Sequence, residues 1–162
     1  MTTTWISKDG APIDRKISIF GWLLVLSRGS AIIFFIFIGL ILKFVLRVFE
    51  KPLFGGRRPV TPHITVLVCR ISLRLLSIPV ARFGVPLQQP GAFVSNHTSW
   101  LDIFALNSGH MLYFVSKSEV AKWPGIGLLA KATGTLFIRR EPKEAVAQKK
   151  LFAQRIKMGH RL

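Results

Sequence analysis

Carboxylates and cysteine are scarce in this chain of 162 residues. Asp and Glu number 7 against 23 Lys and Arg, which leaves a net charge of +16. The single cysteine, Cys69, excludes a disulfide framework and a cysteine-based zinc site, and it is compatible with a reducing compartment. No phosphate-cradling glycine loop, metal-spaced histidine pair, internal repeat or nucleic-acid motif is present in the sequence. No cofactor and no metal ligand is therefore expected. What is abundant is apolar: half of the residues are hydrophobic, and the mean hydropathy is +0.42. That excludes a disordered chain in spite of the charge. Basic and apolar together point to a membrane surface, an anionic substrate or a nucleic acid. The basic residues are spread along an apolar segment and a mixed region, so no nucleic-acid partner is expected.

The apolar residues gather near the N-terminus. From residue 17 to residue 49 the only charges are Arg28, Lys43 and Arg47. Crossing a bilayer core of about 30 Å takes about 20 apolar residues. Residues 17–42 are long enough if Arg28 reaches an interface; the stretch between Arg28 and Lys43 alone is too short. Two arrangements compete: one tilted spanning helix, or a hairpin that breaks near Gly29 and Ser30. A buried core helix would seldom be apolar on every face. A cleaved signal is disfavoured by the late start, the length and the missing small-residue cleavage site. Lys43, Arg47, Lys51, Arg57 and Arg58 follow the apolar segment and place the remainder on the cytoplasmic side.

Pro52, Gly55, Gly56, Pro59 and Pro62 mark a boundary, giving a membrane segment with its linker at 1–62 and a second unit at 63–162. In residues 63–78, Leu67, Ile71 and Leu75 recur at helical spacing with Arg70 and Arg74 on another face. Such a helix suits an anionic lipid surface, or packs on the domain like any other. Beyond it, β-like runs at 80–83, 92–95, 113–116 and 135–138 alternate with helical stretches at 100–107, 126–132 and 143–157. This alternation predicts an α/β fold.

The chemistry-bearing group lies at the second of these strands. It runs into Asn96-His97-Thr98-Ser99, and a helix starts at Ser99 or Trp100 with Ser99 as its cap. His97 is the natural base near neutral pH. Asp102 is the only carboxylate between Glu50 and Glu119. On a regular helix, positions five apart diverge by about 140°; a turn at His97 removes that obstacle. Asp102 then holds one ring nitrogen and leaves the other to take a proton. The bland alternative is a loop histidine beside a solvated first-turn aspartate. No protein nucleophile stands next to the pair, which suits direct attack by a substrate hydroxyl.

The block from Asn96 to Asp102 resembles the N-H-x-S-x-x-D block of the glycerolipid acyltransferases, the 1-acylglycerol-3-phosphate acyltransferases and their relatives. Phe114-Val115-Ser116-Lys117 and Trp123-Pro124-Gly125-Ile126-Gly127 follow, and then Gly134-Thr135-Leu136-Phe137-Ile138-Arg139-Arg140, similar to the family's G-x-x-F-I-x-R motif. The likeness covers roughly residues 80–162. It implies a glycerol-3-phosphate acyltransferase-like α/β fold: a mixed sheet flanked by helices, behind an N-terminal membrane helix or hairpin. It also implies transfer of a fatty acyl group from acyl-CoA or acyl-carrier protein to the free hydroxyl of a lysolipid. His97 would be the general base and Asp102 its orienting partner. Arg140 would meet the acceptor's phosphate, with Arg139 at a variable position beside it. Gly134 would permit close backbone approach before the strand. Asn96 and Ser99 complete the first block, and Lys117 would either anchor an anionic substrate or sit solvated. The wording of both blocks is nearest to bacterial enzymes acting on lysophosphatidate or lyso-ornithine lipid, which implies the inner membrane with the catalytic part in the cytoplasm. For ornithine lipid, which has no phosphate, Arg140 would meet a carboxylate or another polar group.

The family's third block, F-P-E-G-T-R or a variant, is absent, as is a later proline-containing block. The resemblance is therefore to a truncated member, for which an incomplete sheet, poor folding or little activity is expected. The alternative function is an inactive, membrane-bound relative that still holds lipid.

Overall fold

Ser18 opens the first helix: its hydroxyl accepts from the Gly21 amide at 3.1 Å. In the computed structural model, which describes residues 16–85, 89–139 and 141–162, this helix, α1, runs unbroken from Ile19–Phe54. The hairpin near Gly29 and Ser30 does not form. Flanking β-branched and aromatic residues carry the helix through both positions. At 36 residues α1 measures about 54 Å, well beyond a bilayer core. Pro52 falls in its last turn and does not end it; Gly55 does, with φ of 57°.

One face of α1, with Ile32, Gly39, Leu40, Lys43 and Glu50, is buried, and α2 (Thr61–Leu75) lies against it. A Cβ on Gly39 would come within 2.6 Å of Val68 Cγ2, so the two helices approach as closely as glycine allows. The rest of α1 displays Phe20, Trp22, Ile33, Phe34, Phe37, Ile41, Phe44 and Phe49 to the outside. Length and composition make it the one described helix able to cross a membrane.

The elbow between α1 and α2 is tied by a buried carboxylate. Val60, the residue before α2, supplies no side-chain cap. Glu50 on α1 takes that role: Oε1 accepts from the Val60 and Thr61 amides at 2.8 and 3.2 Å, and Oε2 from Thr61 Oγ1 at 2.7 Å. Arg47 pairs with Glu50 at 3.3 Å and donates to the Arg57 and Gly55 carbonyls. The linker expected around residues 52–62 is therefore a fastened turn.

Helix α2 is sandwiched between α1 and α3 (Leu101–Gly109). Its buried stripe is Val66, Cys69 and Leu73, and Leu67 is exposed. The expected stripe of Leu67, Ile71 and Leu75 is thus offset. Both stripes are apolar, and the partner helices decide which one is covered. Burial pushes the Cys69 thiol up to about 12, so it is inert.

The sheet is small and parallel. Strand β1 (Val115–Lys117) pairs with β2 (Leu136–Ile138), connected through α4 (Ile126–Thr133). Isolated parallel bridges join Gly91 and Leu112 to Arg161. The Phe93 amide donates to Leu162 and the Tyr113 amide to Arg161. A helix, α5 (Ala145–Lys157), leads into that last segment. Residues 92–95 are thus extended but form no strand, and all described pairings are parallel, where a mixed sheet is expected. Residues 80–83 form no strand at all. Arg82 instead donates to Ser108 Oγ at 2.9 Å, while Arg70 Nε donates to the Ser108 carbonyl at 2.8 Å.

His160, which reads in sequence as a terminal residue, is 5% exposed. It stacks on Tyr113 with ring centroids 4.3 Å apart, and neither ring nitrogen has a partner. Burial, and then the charges of Arg155 and Arg58, lower its pKa from 6.5 to about 4. The unfolded chain therefore binds a proton in this window that the folded chain refuses. Stability attributable to His160 should fall as pH drops from 6.5 toward 4, by at most about 1.4 kcal/mol per pH unit. Urea midpoints at pH 7, 6 and 5 would show this slope, and His160→Phe, which keeps the stack, should flatten it. An unchanged slope in the variant would refute the assignment.

Candidate active site

The extended segment 91–95 delivers the chain to the turn at Asn96, where α3 begins. Ser99 Oγ accepts from the Leu101 amide at 3.2 Å, and Asp102 Oδ2 accepts from the Ser99 amide at 2.9 Å. Together they cap the start of the helix. The same Oδ2 takes the Thr98 amide at 2.9 Å and His97 Nδ1 at 3.0 Å. One carboxylate oxygen thus fixes the helix start and the imidazole at once. With Nδ1 donating to the carboxylate, Nε2 presents its lone pair outward. The His97 side chain is 57% exposed and that of Asp102 30%. The Ser99 amide first, then His97 and the Thr98 amide, hold the Asp102 carboxyl below the usual carboxylate range. It stays ionised wherever a histidine base can work.

The candidate residues do not all fall together. His97, Asp102 and Ser99 share one hydrogen-bonded turn, and the hydroxyl of Ser99 is occupied by capping. Asn96 is exposed immediately before them. Because the pairings are parallel, residues following the strands collect at one sheet edge. Lys117 ends β1 in register with Ile138, and Arg139 follows β2. Lys117 is exposed there. Arg139 pairs with Glu144 at 3.5 Å, and its carbonyl accepts from Gln148 Nε2. Arg140 lies outside the described residues. Gly134 sits at the other end of β2, capping α4 with φ of 84°. A Cβ there would come within 2.9 Å of Tyr113 Cδ1, which accounts for glycine without a ligand. The Glu50–Arg47 tie escaped sequence reasoning. A carboxylate placed three residues after an arginine near a helix end was the available signal.

An α/β chain that places His and Asp five apart at the end of a parallel segment has a family counterpart. The Acyltransferase profile matches residues 79–161. The chain belongs to the acyltransferase family. The match takes in the His97–Asp102 pair, both paired strands and the closing segment. The chain is 51% identical to a lyso-ornithine lipid O-acyltransferase of Rhodobacter capsulatus, over 95% of this chain and 56% of that protein. A Pseudomonas aeruginosa lyso-ornithine lipid O-acyltransferase is 40% identical over 49% of this chain and 31% of its own. A 1-acyl-sn-glycerol-3-phosphate acyltransferase of Neisseria gonorrhoeae is 38% identical over 32% of this chain and 20% of its own. The chain thus spans about half the length of the first of these relatives, and less of the others. No solved structure matches.

Proposed function

We propose that this acyltransferase moves a fatty acyl group from a thioester donor, acyl-CoA or acyl-carrier protein, to the free hydroxyl of a lysolipid. Lyso-ornithine lipid is the preferred acceptor and lysophosphatidate the second. The observation that carries this is the bond from His97 Nδ1 to Asp102 Oδ2, on a histidine side chain that is 57% exposed. His97 takes the proton of the acceptor hydroxyl as its oxygen attacks the thioester carbonyl. The tetrahedral intermediate then collapses, the C–S bond breaks, and the thiolate leaves with the proton from His97. Asp102 stabilises the imidazolium between these steps. A thioester is already activated, so positioning and proton removal suffice. Arg140 and Arg139 are assigned to the acceptor's anionic group, Lys117 to a neighbouring anion, and Asn96 to the substrate side of the turn.

The two units proposed are 1–62 in and at the membrane and 63–162 as acyltransferase. Helix α1 anchors the enzyme in a bacterial inner membrane, its basic foot in the cytoplasm. Exposed aromatics along α1 and relatives named for lipid acceptors support this.

The test supplies labelled acyl-CoA and acyl-carrier protein, in separate reactions, to the protein in neutral micelles. Lyso-ornithine lipid and lysophosphatidate are the rival acceptors. Transfer with higher kcat/KM on lyso-ornithine lipid is expected. Preference for lysophosphatidate would overturn the acceptor assignment. Lipid binding without transfer from either donor would favour the inactive lipid-binding relative.

A further inference from the structure

A second site is built at the foot of α1, away from the His97–Asp102 turn. A cavity of about 330 Å³ lies where α1, the start of α2 and α4 meet, within the size range of small-ligand sites. Four cations line it, Lys43, Arg47, Arg58 and Lys131, together with apolar Phe44 and Leu128. Lys43 is 7% exposed. Its ammonium makes one hydrogen bond, to Thr65 Oγ1 at 2.6 Å. Arg58 donates Nη1 to the Ala132 carbonyl at 3.1 Å, while its Nε is buried without a partner.

Of these four cations only Arg47 has a carboxylate partner, Glu50. Both oxygens of Glu50 are taken by Val60, Thr61 and Arg47. Among the described residues no carboxylate lies within ion-pair distance of Lys43, Arg58 or Lys131. A buried ammonium without a counter-ion costs several kcal/mol, and a chain that keeps one beside a cavity has a use for it. Phe44 belongs both to the cavity and to the exposed apolar side of α1. An oxyanion on the cations can therefore be joined to an acyl chain lying along the helix. Basic pockets at the cytoplasmic foot of membrane helices hold lipid headgroups in this manner.

We infer that this cavity binds the phosphate headgroup of an anionic membrane lipid, independently of the acyl-transfer site, and clamps the foot of α1 to α2 and α4. The inference goes beyond the proposed reaction, since the cavity shares no residue with the His97–Asp102 turn.

The experiment uses the whole chain in neutral detergent micelles. Short-chain phosphatidylglycerol, short-chain phosphatidylcholine and inorganic phosphate are titrated separately, and the thermal midpoint and retained lipid in native mass spectrometry are read. Phosphatidylglycerol should raise the midpoint in a saturable way, and phosphatidylcholine should not. Lys43→Met and Lys131→Glu should each weaken phosphatidylglycerol binding about tenfold, the effect of one charge-assisted contact. Lys131 is exposed, so Lys131→Glu keeps the test decisive if Lys43→Met does not fold. Wild-type affinity in a folded variant would overturn the site. An equal midpoint rise with inorganic phosphate, or with phosphatidylcholine, would overturn the anionic lipid as its ligand.

Discussion

His97→Ala should abolish acyl transfer, lowering kcat by about 10²–10⁴-fold, the contribution of a positioned general base. The His97 side chain is more than half exposed, so folding and lipid binding should survive. A purely structural His97 would show the opposite pattern, with lost stability and retained turnover. Asp102→Asn separates the two duties of that carboxylate. The amide oxygen can still accept from the Thr98 and Ser99 amides, which now meet Oδ2 at 2.9 Å, so α3 keeps its start. The charge that favours the imidazolium is gone, so kcat should fall while the melting point moves little. Equal, measurable activity of wild type and His97→Ala in a continuous thiol-release assay would sink the general-base mechanism.

Glu50→Ala should cost about 3 kcal/mol of stability, in line with breaking a buried, hydrogen-bonded charge pair. Glu50 is 4% exposed and Thr61 1%. Removing the carboxylate leaves the Thr61 amide and hydroxyl buried, and the part-buried Val60 amide, without their acceptor. Each such orphan costs about 1–3 kcal/mol, and relaxation of the elbow recovers part of the sum. Arg47 also loses its partner, although its bonds to the Arg57 and Gly55 carbonyls remain. Glu50→Gln keeps Oε1 as an acceptor for the two amides and should lose roughly half as much. Denaturant unfolding in micelles, followed by circular dichroism, measures both. A change under about 0.5 kcal/mol in the alanine variant would mean that the elbow is held by helix packing alone.

Much of the site could be read before any coordinates. The spacing of His97 and Asp102, with Ser99 before the apolar run, announces a capped helix start with an acid five residues after a base. All of its hydrogen bonds close within a few residues. The same locality made α1 legible from its unbroken apolar run, and α3, α4 and α5 from their patterns. The resemblance to acyltransferases rested on those local blocks, and the family match over residues 79–161 agrees with it.

What needed the tertiary structure was whatever depends on partners distant in the chain. Residues 92–95 and 113–116 both read as strands, but register and length depend on the ladder available. For residues 91–93 that ladder is residues 161–162. Residues 80–83 read as a strand but pair with no ladder among the described residues; the Arg82 side chain instead meets Ser108, 26 residues away. Nor does helical spacing choose between two adjacent apolar stripes on α2; packing against α1 and α3 does. The sequence by itself determined the helices and the hydrogen-bonded His97–Asp102 pair, because those signals are local. The tertiary structure decided which faces are buried and which charges are left without partners, because burial and desolvation are set by what packs from elsewhere.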